Sequence, residues 1–146
     1  MSHVASIEIE VKDLSCLREA AGRLGLEFME GQESYRWFGE SAGGYPLPAG
    51  FAVEDLGKCE HALRVPGKPD AYEIGVTKRR DGKAGYTLLW DFFQGGYGLQ
   101  DRVGEGAGRL VQEYARSVAV KQARRQGFSV REKKRQDGCY ELTLTK

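Results

Sequence analysis

The sequence offers one close pairing of a thiol with an imidazole, Cys59-Glu60-His61, and three further groups that could join it, Cys16, Cys139 and His3. A nearby imidazole activates a thiolate as a nucleophile, and the same two side chains could begin a metal site. The spacing argues against both. Structural zinc draws on paired C-x2–4-C or H-x3–5-H ligands, and here a single C-x-H stands with every other ligand distant in sequence. On one strand, residues two apart are separated by roughly 6–7 Å, given a rise of about 3.3 Å per residue, so proton transfer from Cys59 to His61 would require a bend. No catalytic residue, metal or cofactor is therefore assigned, and Cys59 with His61 remain as a third reading, a small enzyme or metal site.

Two other patterns have chemical content. Gly104-Glu105-Gly106-Ala107-Gly108 precedes a helix, where free amides attract anions. No strand leads into it, no Gly-Lys-Ser/Thr follows and Glu105 has the wrong charge, so these glycines are expected to permit a close backbone contact or a bend. The second pattern is electrostatic: Arg116, Lys121, Arg124, Arg125, Arg131, Lys133, Lys134 and Arg135 face the single acid Glu132 between residues 116 and 135. They form a basic edge suited to phosphate or to an acidic partner, and basic residues also favour a helix C-terminus. Residues 1–60 are the counterweight, with five Lys/Arg against eleven Asp/Glu. Tyr45, Leu47 and Phe51, in and beside the Gly- and Pro-rich stretch Gly39–Gly50, are candidate apolar anchors for a protein partner.

The elements that would position these residues follow from periodicity. Ile7, Ile9 and Val11 alternate with Glu8 and Glu10 as one face of a strand. Asp13 can cap a helix carrying Leu14, Leu17, Ala21 and Leu24 at helical spacing, with Gly25 as its left-handed exit. Short strands are expected at Leu26–Met29 and Tyr35–Phe38. Gly39–Gly50 should be an exposed loop, and Phe51–Val53 with Ala62–Val65 a short hairpin. Tyr72, Ile74 and Val76, then Tyr86, Leu88, Trp90 and Phe92, alternate around Asp81-Gly82 as a β-hairpin whose aromatic face should line the core. Val103, Ala107, Leu110, Val111, Tyr114 and Val118 mark a second helix running to about Gln126, loose or late at its glycine-broken start. Phe128–Arg135 and Tyr140–Thr145 close the chain as a hairpin around Asp137-Gly138.

The order predicts a single α+β domain over residues 1–146. It is a two-layer sandwich with a mainly antiparallel sheet and two helices on one face, ferredoxin-like, with an insertion at about 30–69 and an extra C-terminal strand. A chain of 146 residues with 40% hydrophobic and 29% charged side chains and a net charge of +1 has room for one core and no global field. Its apolar runs are too short for a membrane span. Three cysteines cannot all pair within the chain, and the N-terminus lacks an export pattern, so a reducing cytoplasm is expected.

Met1-Ser2-His3, the strand and helix through Leu24-Gly25, Tyr72-Glu73-Ile74-Gly75, Asp91, Gln112-Glu113-Tyr114-Ala115 and Gln126-Gly127-Phe128 also carry a likeness. In order and spacing, over nearly the whole chain, they resemble the Ycf35-like family, a domain of unknown function (DUF1257) found in bacteria, cyanobacteria and some algal plastids. The resemblance implies no activity, cofactor or catalytic residue. The expectation is then a non-catalytic adaptor or accessory subunit. It would meet a protein partner through the hairpin surface, the Gly39–Gly50 loop and the basic edge, with homo-oligomers through a sheet edge as a further form. The alternative is an RNA or single-strand binder using the eight basic residues.

Overall fold

The computed structural model describes residues 3–40 and 45–146. Its main sheet has five strands in the order β1-β5-β4-β3-β2. These are β1 (Val4–Ser6), β2 (Glu27–Glu30), β3 (His61–Arg64), β4 (Ile74–Lys78) and β5 (Tyr86–Asp91). Every neighbouring pair is antiparallel. One face carries the helices α1 (Leu14–Arg23), α2 (Leu99–Val103) and α3 (Gly108–Arg125), which is the expected two-layer α+β sandwich.

Two details differ from the ferredoxin-like order. The antiparallel pairings make β1 and β2 run in the same direction at opposite edges of the sheet, so the β1-α1-β2 crossover spans three intervening strands. The closing strands β6 (Ser129–Lys134) and β7 (Tyr140–Thr145) pair with each other in a separate two-stranded sheet and do not extend the first.

Local chemistry accounts for most boundaries. The Asp13 carboxylate accepts a hydrogen bond from Cys16 N at 3.1 Å and caps α1, and Gly25 leaves the helix at φ 74°. The ladder of β1 lies at Val4–Ser6, three residues ahead of the Ile7–Val11 alternation. Ile7 N donates to Leu88 O, and Val11 rejoins the sheet opposite Tyr86, so four residues on the edge strand span two on β5. This bulge still turns Ile7 and Val11 into the core. The second long helix starts late, as its glycines require: α2 ends at Val103, then Gly104, Gly106 and Ala107 take positive φ, and α3 begins at Gly108.

Each sheet face has its own core. Leu17, Leu63, Ile74, Val76, Leu88, Trp90, Leu99 and Leu110 meet under the helices, with Tyr86 half-buried beside them. On the far face Ala62 and Leu89 meet Val4, Tyr35, Phe51 and Leu56, at about 1.5–3 kcal/mol for each large side chain fully buried. The insertion therefore covers the sheet. Tyr35–Phe38 forms no strand; Tyr35 N donates to Gly57 O, and its ring lies where a Cβ on Gly75 would stand, so this close approach needs glycine. Residues 53–55 form a 3-10 turn in place of the expected Phe51–Val53 strand, and β3 pairs with β2 and β4. Residues 41–44 of the expected loop lie outside the described residues.

Candidate functional site

At the end of β5 the sheet delivers Asp91 into a fully buried position. Its Oδ1 accepts from His3 N at 3.0 Å and from Phe93 N at 3.1 Å, while Oδ2 accepts from Phe38 N at 3.1 Å. One carboxylate thus joins the N-terminal strand, the insertion and the segment after β5. Charge-assisted bonds of this kind are about twice as strong as neutral ones. Glu73, also buried, performs the matching task one strand away, accepting from Arg36 N at 2.8 Å and Gln32 Nε2 at 3.1 Å.

The residues anchored at Asp91 are aromatic. The His3 ring lies 4.9 Å from Tyr45, 5.4 Å from Phe92 and 5.5 Å from Phe93. Beyond them Gln94, Gly95, Gly96 and Tyr97 all adopt left-handed backbone angles, which costs roughly 1–2 kcal/mol for each non-glycine residue. The turn is held by Tyr72 N donating to Gly96 O at 2.8 Å and by the Tyr72 ring, 5.0 Å from Tyr97. Burial and the nearby Asp91 push the Tyr72 phenol up. The outcome is two large aromatics on a fixed support facing solvent, Phe38 at 48% exposure and Tyr97 at 49%. Neither is among the anchors expected from the sequence. Of those, Tyr45 belongs to this cluster and Leu47 is 40% exposed, but Phe51 is 7% exposed, buried in the insertion-side core beneath the Arg80 guanidinium. The run Gln94-Gly95-Gly96-Tyr97-Gly98 was the available signal, since adjacent glycines mark backbone that needs positive φ.

The basic edge divides into two sets. Arg116 turns inward, bonding Glu132 and Glu113 and stacking 3.7 Å over the Tyr140 ring. Its guanidinium lowers the Glu132 carboxyl. Lys121 donates to Asp13 Oδ2 at 2.6 Å and, with the Ser15 hydroxyl, holds that carboxyl far below its usual range. Arg135 pairs with Asp137 at 3.3 Å. Arg124, Arg125, Arg131, Lys133 and Lys134 are exposed and have no ion-pair partner among the described residues.

Cys59 and His61 are not brought together. Cys59 packs against the insertion-side core and its thiol donates to Gln32 O at 3.1 Å, whereas His61 lies by Phe28 and Tyr86, which border the helix-side core. The chain bends ahead of β3, so the two do not share a strand face. Burial, with Glu60 and Glu73 adding to it, pushes the Cys59 thiol up to about 12, the opposite of what a nucleophile needs. His61 Nδ1 accepts from Gly31 N at 3.0 Å. Cys16 is buried in α1 and Cys139 is exposed in the β6–β7 turn. Among the described residues no three His, Cys, Asp or Glu gather as a metal site, and no helix is long and apolar enough to cross a membrane.

The fold and these surfaces define a two-layer α+β domain with an aromatic end at Asp91 and a basic two-stranded ribbon after α3. The family model described as a protein of unknown function, DUF1257, matches residues 50–143, and the chain belongs to that family. No curated protein and no solved structure matches the chain. Several residues inside the matched span tie the fold together: Glu73 and Asp91 fix the insertion as described, Tyr114 Oη accepts from Lys12 N and Asp13 N, and Gln112 Nε2 donates to Gly138 O at 2.8 Å.

Proposed function

We propose that this chain is a non-catalytic adaptor or accessory subunit, acting in the cytoplasm, that docks a protein partner on its Asp91 end. The observation that carries the reading is the pair of half-exposed aromatics, Phe38 and Tyr97, on a support fixed by a buried carboxylate and a left-handed turn. Large rigid aromatics are the side chains that dominate protein interfaces, because they bury much area at little entropic cost. Strained backbone persists where the surrounding structure over-determines it, and it clusters at functional surfaces. The raised Cys59 thiol and its separation from His61 favour binding over covalent chemistry.

The test compares the intact chain with Phe38→Asp and Tyr97→Asp on affinity purification from the native cell. The reading expects a protein that is retained by the wild type through a rise in salt and absent from both variants while their folds are kept. Retention unchanged in both variants would refute it.

A further inference from the structure

We propose that the β6–β7 ribbon is a docking surface for duplex DNA, separate from the aromatic end, with Arg131 and Lys133 facing the nucleic acid and Arg124, Arg125 and Lys134 at its margins. The charge on this lobe is unbalanced in a specific way. Of its three acids, Glu132 and Asp137 are already held by Arg116 and Arg135 and Glu141 stands opposite Lys133, while the five cations named here have no ion-pair partner among the described residues and outnumber that one remaining carboxylate.

Strand alternation sorts the rest. Glu132 meets Arg116 of α3, so Val130, Glu132 and their cross-strand partners Leu144 and Leu142 turn toward the helix. The opposite face carries Ser129, Arg131 and Lys133 against Thr145, Thr143 and Glu141. That outer face holds no aromatic on which single-stranded bases could stack and no apolar anchor for a protein interface. Apart from Glu141 it carries two cations and three hydroxyls, the side-chain types that contact phosphates and base edges.

Shape points the same way. The ribbon is a sheet of its own, and its two strands have six residues each, about 20 Å in length at the usual rise. A two-stranded ribbon fits the B-DNA major groove, about 12 Å wide, whereas the deep, narrow groove of A-form RNA does not admit it. The aromatics of β5 leave no competing platform, since Trp90 is buried under the helices.

The experiment is fluorescence anisotropy of the full chain with a labelled duplex of about two helical turns, titrated between about 50 and 200 mM salt. Binding is expected to weaken linearly in log salt. Arg131→Ala with Lys133→Ala should lower the affinity roughly tenfold or more at low salt and reduce the salt slope by about 2, one for each phosphate no longer neutralised. Both positions are exposed, and circular dichroism of the variant verifies its fold. Tyr97→Asp, which attacks the aromatic end, should leave duplex binding unchanged. No duplex binding at the lowest salt would overturn the proposal. So would binding unaffected by the double substitution, or tighter binding to a single strand or to polyglutamate of equal charge than to the duplex.

Discussion

At the Asp91 end, three main-chain segments converge on one buried carboxylate and the surface they present is aromatic. The β6–β7 ribbon, in contrast, meets α3 through the Arg116 contacts to Glu132 and Tyr140 and the bond from Gln112 to Gly138, and the surface it presents is charged. The contrast shows how two docking surfaces can coexist in a small domain. Buried bonds to a charge cost a great deal to break and make a rigid support. An isolated two-stranded hairpin is marginal by itself, so the ribbon is attached through a few side chains and can yield without the body unfolding.

The sharpest way to break this contrast is Asp91→Ala. Three backbone amides are deprived of their acceptor together, and at about 1–3 kcal/mol for each buried donor left unpaired the expected destabilisation is roughly 3–5 kcal/mol, read from denaturant unfolding. The ribbon should keep its protection relative to the body. A destabilisation below about 1 kcal/mol would mean that the Asp91 bonds do not carry the end of the sheet.

Arg116→Met should have a smaller and more local effect. It removes the stack on Tyr140 and the partner of Glu132, while Glu113 keeps Arg23 Nε at 2.6 Å. Global stability is expected to fall by about 1 kcal/mol, with amide exchange in residues 129–145 accelerating far more than in β3–β5. Uniform acceleration through both sheets would show that the ribbon is part of the body's cooperative unit.

The smallest effect concerns acid. Lys121 and the Ser15 hydroxyl lower the Asp13 carboxyl in the folded state. A depressed folded value contributes stability above the unfolded value, about 3.9, and that contribution is lost as the pH falls through the folded one. Lys121→Met should therefore cost under about 1 kcal/mol near pH 7, because Lys121 is partly exposed and screened. Its difference from wild type should shrink as the pH drops below about 4. A difference that grows on acidification would contradict the assigned cause.

Features written in local pattern were legible in the sequence. The Asp13 cap, the Gly25 exit, the β4–β5 hairpin and the late start of α3 each rest on a few neighbouring residues. The parts that escaped depend on distant partners. Nothing in Tyr35, Phe51 and Leu56 announces that they cover the second face of a sheet, because their contacts lie across the insertion and carry no period. The Ile7–Val11 alternation reports burial correctly, yet it cannot show that a bulge shifts the ladder to Val4–Ser6. The closing hairpin shows its own register but not that it stands apart from the main sheet. Within the basic run, spacing alone cannot separate Arg116 and Lys121, spent on Glu132 and Asp13, from the residues left to solvent.

The division of the molecule is tested most directly by placing a photoreactive phenylalanine at position 97 in one chain and at position 133 in another, with crosslinking in the native cell. A protein adduct is predicted from position 97 and a nucleic-acid adduct from position 133. The same adduct from both positions, or a protein from 133 with nothing from 97, would contradict the separation of an aromatic protein-docking end from a basic nucleic-acid ribbon.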